Sequence, residues 1–209
     1  MLSLNSFTGG IAQTNAYFIH DESSGSGLLI DAPEGVSQWE PLAASPPEAL
    51  LLTHAHFDHI WDAAAVQESF DCPIYAFSPY EPSLTLSDLL PAFGVSHMIP
   101  PYEVTTVLEG ETTLSLANWE FGLHHVPGHS PDSLCFSLAS EKLLFGGDVL
   151  MRRSVGRTDF PHSDPEALVR GILETFFLLP GKTKVLPGHG PSTTIGEEKA
   201  ENPFLTRLR

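Results

Sequence analysis

The chain opens on short apolar runs broken by glycine, serine, proline and aspartate. This rhythm predicts β-strands at Leu2–Phe7, Ala16–His20, Leu28–Asp31 and Ala49–Thr53. From Ile60 to Phe70 the pattern changes: Trp61, Ala64, Ala65 and Glu68 suit a helical period, with Asp58 or His59 in the first turn. A strand follows at Pro73–Phe77. Residues 78–110 are rich in proline and predict an irregular or partly helical connection. Strand signals return at Thr112–Leu116, Glu120–Val126, Ser133–Leu138 and Lys142–Gly146. The capping pattern Ser163-Asp164-Pro165-Glu166, with apolar residues at 168, 169, 172, 173, 176 and 177, predicts an amphipathic helix over Asp164–Leu178, and Thr183–Leu186 a closing strand. Two strand-rich halves with helices between them predict an α/β (α+β) fold: two β-sheets packed face to face, each covered outside by helices.

Composition narrows the setting. A chain of 209 residues with 42% hydrophobic content can bury a core without staples, so one domain spanning 1–209 is expected. Cys72 and Cys135 lie far apart in apolar surroundings, which argues against a disulfide framework and suits a reducing compartment; Cys135 reads as a core residue. The N-terminus has no basic segment followed by a long apolar one, and no run of about 18 apolar residues occurs, so a soluble, cytoplasmic protein without a membrane partner is expected. A net charge of −16 argues against nucleic acid as a partner. Arg152, Arg153 and Arg157 cluster against that acidic background, as a solvated loop or as a local cationic patch.

The densest chemistry is His54-Ala55-His56-Phe57-Asp58-His59, directly after the apolar strand Leu50-Leu51-Leu52. In an extended segment His54 and His56 point the same way and could share one metal ion, while Asp58 and His59, further round the turn, could face a second. Single histidines are usually satisfied polar residues; four donors in six positions are not explained that way. Three singletons have a matching setting. His129 in Pro127-Gly128-His129-Ser130, Asp148 after Phe145-Gly146-Gly147 and His189 in Pro187-Gly188-His189-Gly190-Pro191 each follow a predicted strand at a turn. Five imidazoles and two carboxylates suffice for two borderline divalent cations in N/O coordination without thiolate. Two such ions would hold a bridging water as hydroxide and polarise a substrate carbonyl, the logic of two-metal hydrolysis.

Across nearly its whole length the chain resembles the metallo-β-lactamase superfamily, whose T-H-x-H-x-D-H motif is matched without gaps at Thr53–His59. The resemblance implies an αββα sandwich of two mixed β-sheets with helices on the outside. It also implies a first metal set of His54, His56 and His129, a second of Asp58, His59 and His189, and Asp148 bridging them. Asp31, in Leu-Leu-Ile-Asp-Ala-Pro, matches an aspartate at an early strand end that supports the ligands from behind. His125, two residues before Pro127, is a further candidate for such support. Gly156-Arg157-Thr158-Asp159-Phe160 and the stretch from Pro187 to Lys199, continuing to Asn202-Pro203-Phe204-Leu205, are similar to the single-domain, glyoxalase II-like branch. That likeness implies hydrolysis of a glutathione thioester on two divalent ions, zinc first and iron or manganese compatible. Asp58 would handle the attacking water's proton, and Arg157 would lie near an anionic substrate. Glyoxalase II enzymes continue into a helical domain that forms much of their glutathione site; the sequence stops at Arg209, so no such domain is expected and glutathione as the thiol is the weaker inference.

Three other readings stand beside this one. Persulfide dioxygenases with one iron resemble the chain too and share the Gly-Arg-Thr-Asp-Phe stretch, although Gly188-His189-Gly190-Pro191 looks more like the hydrolase branch. Lactone or β-lactam hydrolysis would suit the same centre. A non-catalytic metal-binding module would be expected to have lost some of the seven donors, and all seven are present.

Overall fold

The computed structural model describes residues 1–206. They form two compact units, one up to Glu109 and one from Gly110 onward, each organised by one six-stranded mixed sheet. In the first unit the strands lie in sequence order: β1 (Leu2–Gly9), β2 (Thr14–Asp21), β3 (Gly27–Ile30), β4 (Ala49–Leu51), β5 (Ile74–Ala76) and β6 (Val104–Val107). Short links make β1, β2 and β3 antiparallel, whereas β3, β4, β5 and β6 run parallel through longer crossovers. Those crossovers carry α1 (Glu40–Ala44), α2 (Phe57–Ile60) and α3 (Ala63–Phe70). The central strands are apolar at every position, and Leu28, Leu29, Ile30, Leu50 and Leu51 are fully buried, as expected of interior parallel strands.

Two expectations for this unit need correcting. The helix read as Ile60–Phe70 is two helices, α2 and α3, parted at Trp61 and Asp62. Asp62 does not cap α3 with its side chain. Its Oδ2 instead accepts from the Gly35 amide, the Ser37 amide and the Ser37 hydroxyl, at 3.0, 3.0 and 2.8 Å, and the chain bends there. The stretch 78–110, read as an irregular or partly helical connection, holds the 3-10 turns Pro82–Leu84 and Ser87–Phe93 but also the edge strand β6. With one paired side and alternating half-buried and exposed positions, β6 has only two valines to announce it.

The second unit holds β7 (Thr113–Leu116), β8 (Trp119–His125), β9 (Leu134–Leu138), β10 (Leu143–Gly147), a two-stranded hairpin of β11 (Leu150–Met151) and β12 (Ser154–Val155), β13 (Lys184–Pro187) and β14 (Thr193–Thr194). Its main sheet has the order β14-β13-β10-β9-β8-β7. The predicted helix is present as α4 (Pro165–Glu174); the Asp164 carboxylate accepts from the Glu166 and Ala167 amides, both at 3.0 Å, and Pro165 begins the helix. Leu168 and Ile172 of α4 pack with Val126, Cys135 and Leu144, which confirms Cys135 as a core residue. The helix ends at Glu174, and Phe176–Leu178 is a separate 3-10 turn. The chain closes with α5 (Ile195–Glu201).

Both sheets are accompanied by helices, as the hydropathy pattern predicts, and both are mixed, as the family resemblance implies. Strand direction then decides where chemistry can gather. β8 and β9 are antiparallel, β9 and β10 antiparallel, β10 and β13 parallel, so β8, β10 and β13 end on the same edge of their sheet. In the first unit parallel β3 and β4 likewise end side by side. No helix among the described residues is long and apolar enough to cross a membrane.

Candidate metal centre

In the first unit the donors leave the end of β4 and enter α2. His56 is the extended residue ahead of the helix, Asp58 lies in its first turn, and His54, His56 and His59 are buried. His54 Nε2 and His56 Nδ1 stand 3.1 Å apart, and His59 Nε2 lies 3.5 Å from Asp58 Oδ2. The segment is fixed from the end of β3 by Asp31. One Asp31 oxygen accepts the Thr53 amide at 2.8 Å; the other meets the Thr53 hydroxyl and His59 Nδ1, each at 2.8 Å. Asp31 adopts a left-handed backbone, φ 60°, a conformation that aspartate tolerates better than most residues. With Nδ1 turned to this carboxylate, Nε2 of His59 is the nitrogen left for a metal, the usual orientation of a carboxylate-backed ligand.

In the second unit His129, Asp148 and His189 leave the commonly directed strands. β10 and β13 end together, with the Gly188 amide donating to the Gly147 carbonyl at 2.8 Å, and Asp148 Oδ2 lies 3.2 Å from His189 Nε2. The same oxygen lies 3.5 Å from His129 Nε2. His129 sits in the link between β8 and β9, and its Nδ1 meets the Arg157 carbonyl at 2.8 Å, which again commits Nδ1 and leaves Nε2 for coordination. Two glycines allow the packing here. Gly128 has φ 139°, and a Cβ on it would lie 2.5 Å from the Leu168 amide nitrogen; a Cβ on Gly156 would lie 1.9 Å from the Asp148 carbonyl oxygen.

The donor set fits divalent ions. Two ligand atoms about 2.0–2.1 Å from one tetrahedral ion stand about 3.3–3.4 Å apart. The four separations above run from 3.1 to 3.5 Å. All donors are imidazole nitrogens or carboxylate oxygens, suited to zinc, iron or manganese alike.

Arg157 and His125 differ from expectation. The Arg157 guanidinium is no isolated cation: Nε and a terminal nitrogen each donate to an oxygen of Asp159 at 2.6 Å, and the group stacks 4.2 Å from the Phe160 ring centroid. Hydrogen bonding to Asp159 raises the pKa of Arg157, and the same bonds hold Asp159 below the usual carboxylate range. The charge of Arg157 is thus offset locally, and it is its backbone carbonyl that meets His129. His125 is exposed, and its Nε2 bonds to the Pro131 carbonyl at 2.8 Å, which ties together the two ends of the link that carries His129. Of the histidines without ligand spacing, His124 bonds to the Ser137 hydroxyl and His97 stacks on Trp61. Thr14 was not anticipated: its buried hydroxyl donates to Asp58 Oδ2 at 2.6 Å. Nothing in sequence links positions 14 and 58; only the start of β2 brings them together.

Comparison with known proteins agrees with this geometry. The model of the metallo-β-lactamase superfamily matches residues 9–189. The chain belongs to that superfamily. Among solved family structures, one titled BLEG-1 B3 metallo-β-lactamase superposes with a TM-score of 0.89 at 35% identity, over 98% of this chain and all of the other. Another, TTHA1623 in a di-iron-bound form, has a TM-score of 0.82 at 38% identity over 96% and 100%. Hydroxyacylglutathione hydrolase GloC of Haemophilus influenzae is 36% identical over 163 residues, 76% of each chain.

Proposed function

We propose that this family member is a metal-dependent thioesterase acting on S-acylglutathione-type substrates at a dinuclear centre. His54, His56 and His129 would hold one ion, Asp58, His59 and His189 the other, and Asp148 would serve both. The observation that carries the metal reading is the set of four ligand-atom separations between 3.1 and 3.5 Å, with His59 and His129 each turned by a bond to Nδ1. Support for the thioester comes from the likeness to GloC, and support for two ions from the di-iron relative. Zinc is the first choice of ion.

When bound, such ions acidify water and polarise a carbonyl. The protein's own groups do the rest. Asp58, with a side chain only 15% exposed, orients the attacking water and takes its proton, and the Thr14 hydroxyl fixes one carboxylate oxygen for that task. Asp31 keeps the His59 ring from turning. The apolar strands behind these residues keep bulk water from the ligands' other faces.

The test is a substrate panel on protein of measured metal content: S-lactoylglutathione, a lactone and a cephalosporin. The thioester should be cleaved with kcat/KM well above the others. Preference for the cephalosporin, a live comparison given BLEG-1, would replace the thioesterase reading, and oxygen uptake on glutathione persulfide with one iron per chain would replace hydrolysis altogether.

A further inference from the structure

The stretch from Pro187 to Leu205 holds one group that the chemistry above does not use. Glu198 of α5 is a carboxylate with no exposed surface, yet all its bonds are made. Oε1 accepts from the Arg153 guanidinium at 2.7 Å and the Thr193 hydroxyl at 2.5 Å. Oε2 accepts from the Arg153 amide at 2.9 Å and the Asn202 side-chain amide at 2.8 Å. A buried charge is tolerated only when paired and hydrogen-bonded in this way.

The donors are those that matter for the metal ligands. Arg153, with a left-handed φ of 58°, forms the tip of the β11–β12 hairpin, and Asn202 also donates to the Ser154 carbonyl at 3.0 Å. That hairpin begins just after Asp148 and ends at Gly156, where any Cβ would collide with the Asp148 carbonyl and the His129 Cβ; the next residue supplies the carbonyl that turns His129. Thr193 lies in β14, paired with Val185 of β13, the strand that delivers His189. One carboxylate therefore grips both segments that set the second unit's ligands.

We infer that Glu198 is a positioning residue for His129, Asp148 and His189, acting through the β11–β12 hairpin and β14. This rests on the metal-centre reading above. Glu198→Gln keeps the volume but removes the charge and turns an NH2 group toward one pair of donors; the Thr193 hydroxyl can accept from it, but the Arg153 guanidinium cannot, so the hairpin tip loses its buried anionic partner.

The experiment measures zinc affinity by competition with a chelating dye, and the visible spectrum of the cobalt(II)-loaded protein, for wild type, Glu198→Gln, and an Ile172 truncation chosen to match the Glu198→Gln Tm. Glu198→Gln should bind zinc about 10–100-fold more weakly, the cost typical of losing support behind metal ligands, with an altered cobalt band, while the matched core variant keeps wild-type affinity and spectrum. If Glu198→Gln does not fold, Thr193→Val and Arg153→Met break the same contacts singly and should each weaken zinc by about tenfold. Wild-type affinity and spectrum in a folded variant, or an equal loss in the core control, would overturn the positioning role. A wild type that binds no zinc, cobalt, iron or manganese would instead overturn the metal centre on which it rests.

Discussion

The two units arrive at the same kind of donor set by opposite routes. In Met1–Glu109 the candidate donors are clustered: four lie between positions 54 and 59, directly after β4 and into α2, and one carboxylate, Asp31, bonds to Thr53 and His59 from the neighbouring strand. In Gly110–Arg209 they are dispersed over 61 positions, at the ends of three strands, and are brought together only because β8, β10 and β13 point the same way. A contiguous loop can be held at one point. A dispersed set must be held through its scaffold, and Glu198, bonded to a hairpin and to β14, does for the second unit what Asp31 does for the first.

This contrast can be broken at either side. The largest effect is expected for Asp58→Ala, which removes the proposed proton acceptor: kcat should fall by about 10²–10⁴ when compared at equal metal content. Near-normal turnover in a metal-replete variant would remove Asp58 from the chemistry. Asp31→Asn, which preserves shape and tolerates the left-handed backbone, should weaken metal binding about 10–100-fold, because the amide cannot accept from the Thr53 amide, the Thr53 hydroxyl and His59 together. In the second unit Gly156→Ala inserts a methyl where 1.9 Å is available, so the unit should lose about 1–3 kcal/mol or more, read as a fall in Tm, with metal affinity falling alongside.

The smallest effects sharpen the picture. Arg157→Ala should leave metal affinity and Tm unchanged, since the carbonyl that meets His129 remains and the guanidinium is already paired with Asp159; a large rise in KM for an anionic thioester would restore its substrate role. Each unit also has one buried cysteine as a reporter. Burial pushes the Cys72 thiol up to about 12, so it should resist thiol reagents at pH 8 until the first unit opens, and unhindered labelling of native protein would contradict that burial.

What was legible in sequence follows the same division. The His54–His59 run declared itself because its donors are adjacent, and α4 did so because Asp164, Pro165 and the apolar spacing agree. His129, Asp148 and His189 were each weak alone and gained weight from their repeated setting at a strand end before a turn. Thr14 and Glu198 gave no signal: a hydroxyl 44 positions from its partner and a glutamate in a polar helix look like surface residues until strand order places them. For Arg157 the cluster of arginines shows charge but not the pairing with the carboxylate two residues later. The edge strand β6 and the break at Trp61 and Asp62 were hidden for a related reason, since pairing on one side and a distant turn at Gly35–Ser37 decide them.

The proposed function requires two bound ions per chain. Protein stripped of metal and titrated with zinc, with S-lactoylglutathione hydrolysis followed against bound equivalents, tests it most directly. Activity should be absent in the stripped protein and reach its maximum at two equivalents per chain. Full hydrolysis without metal, or a maximum at one equivalent with no further binding, would contradict the account.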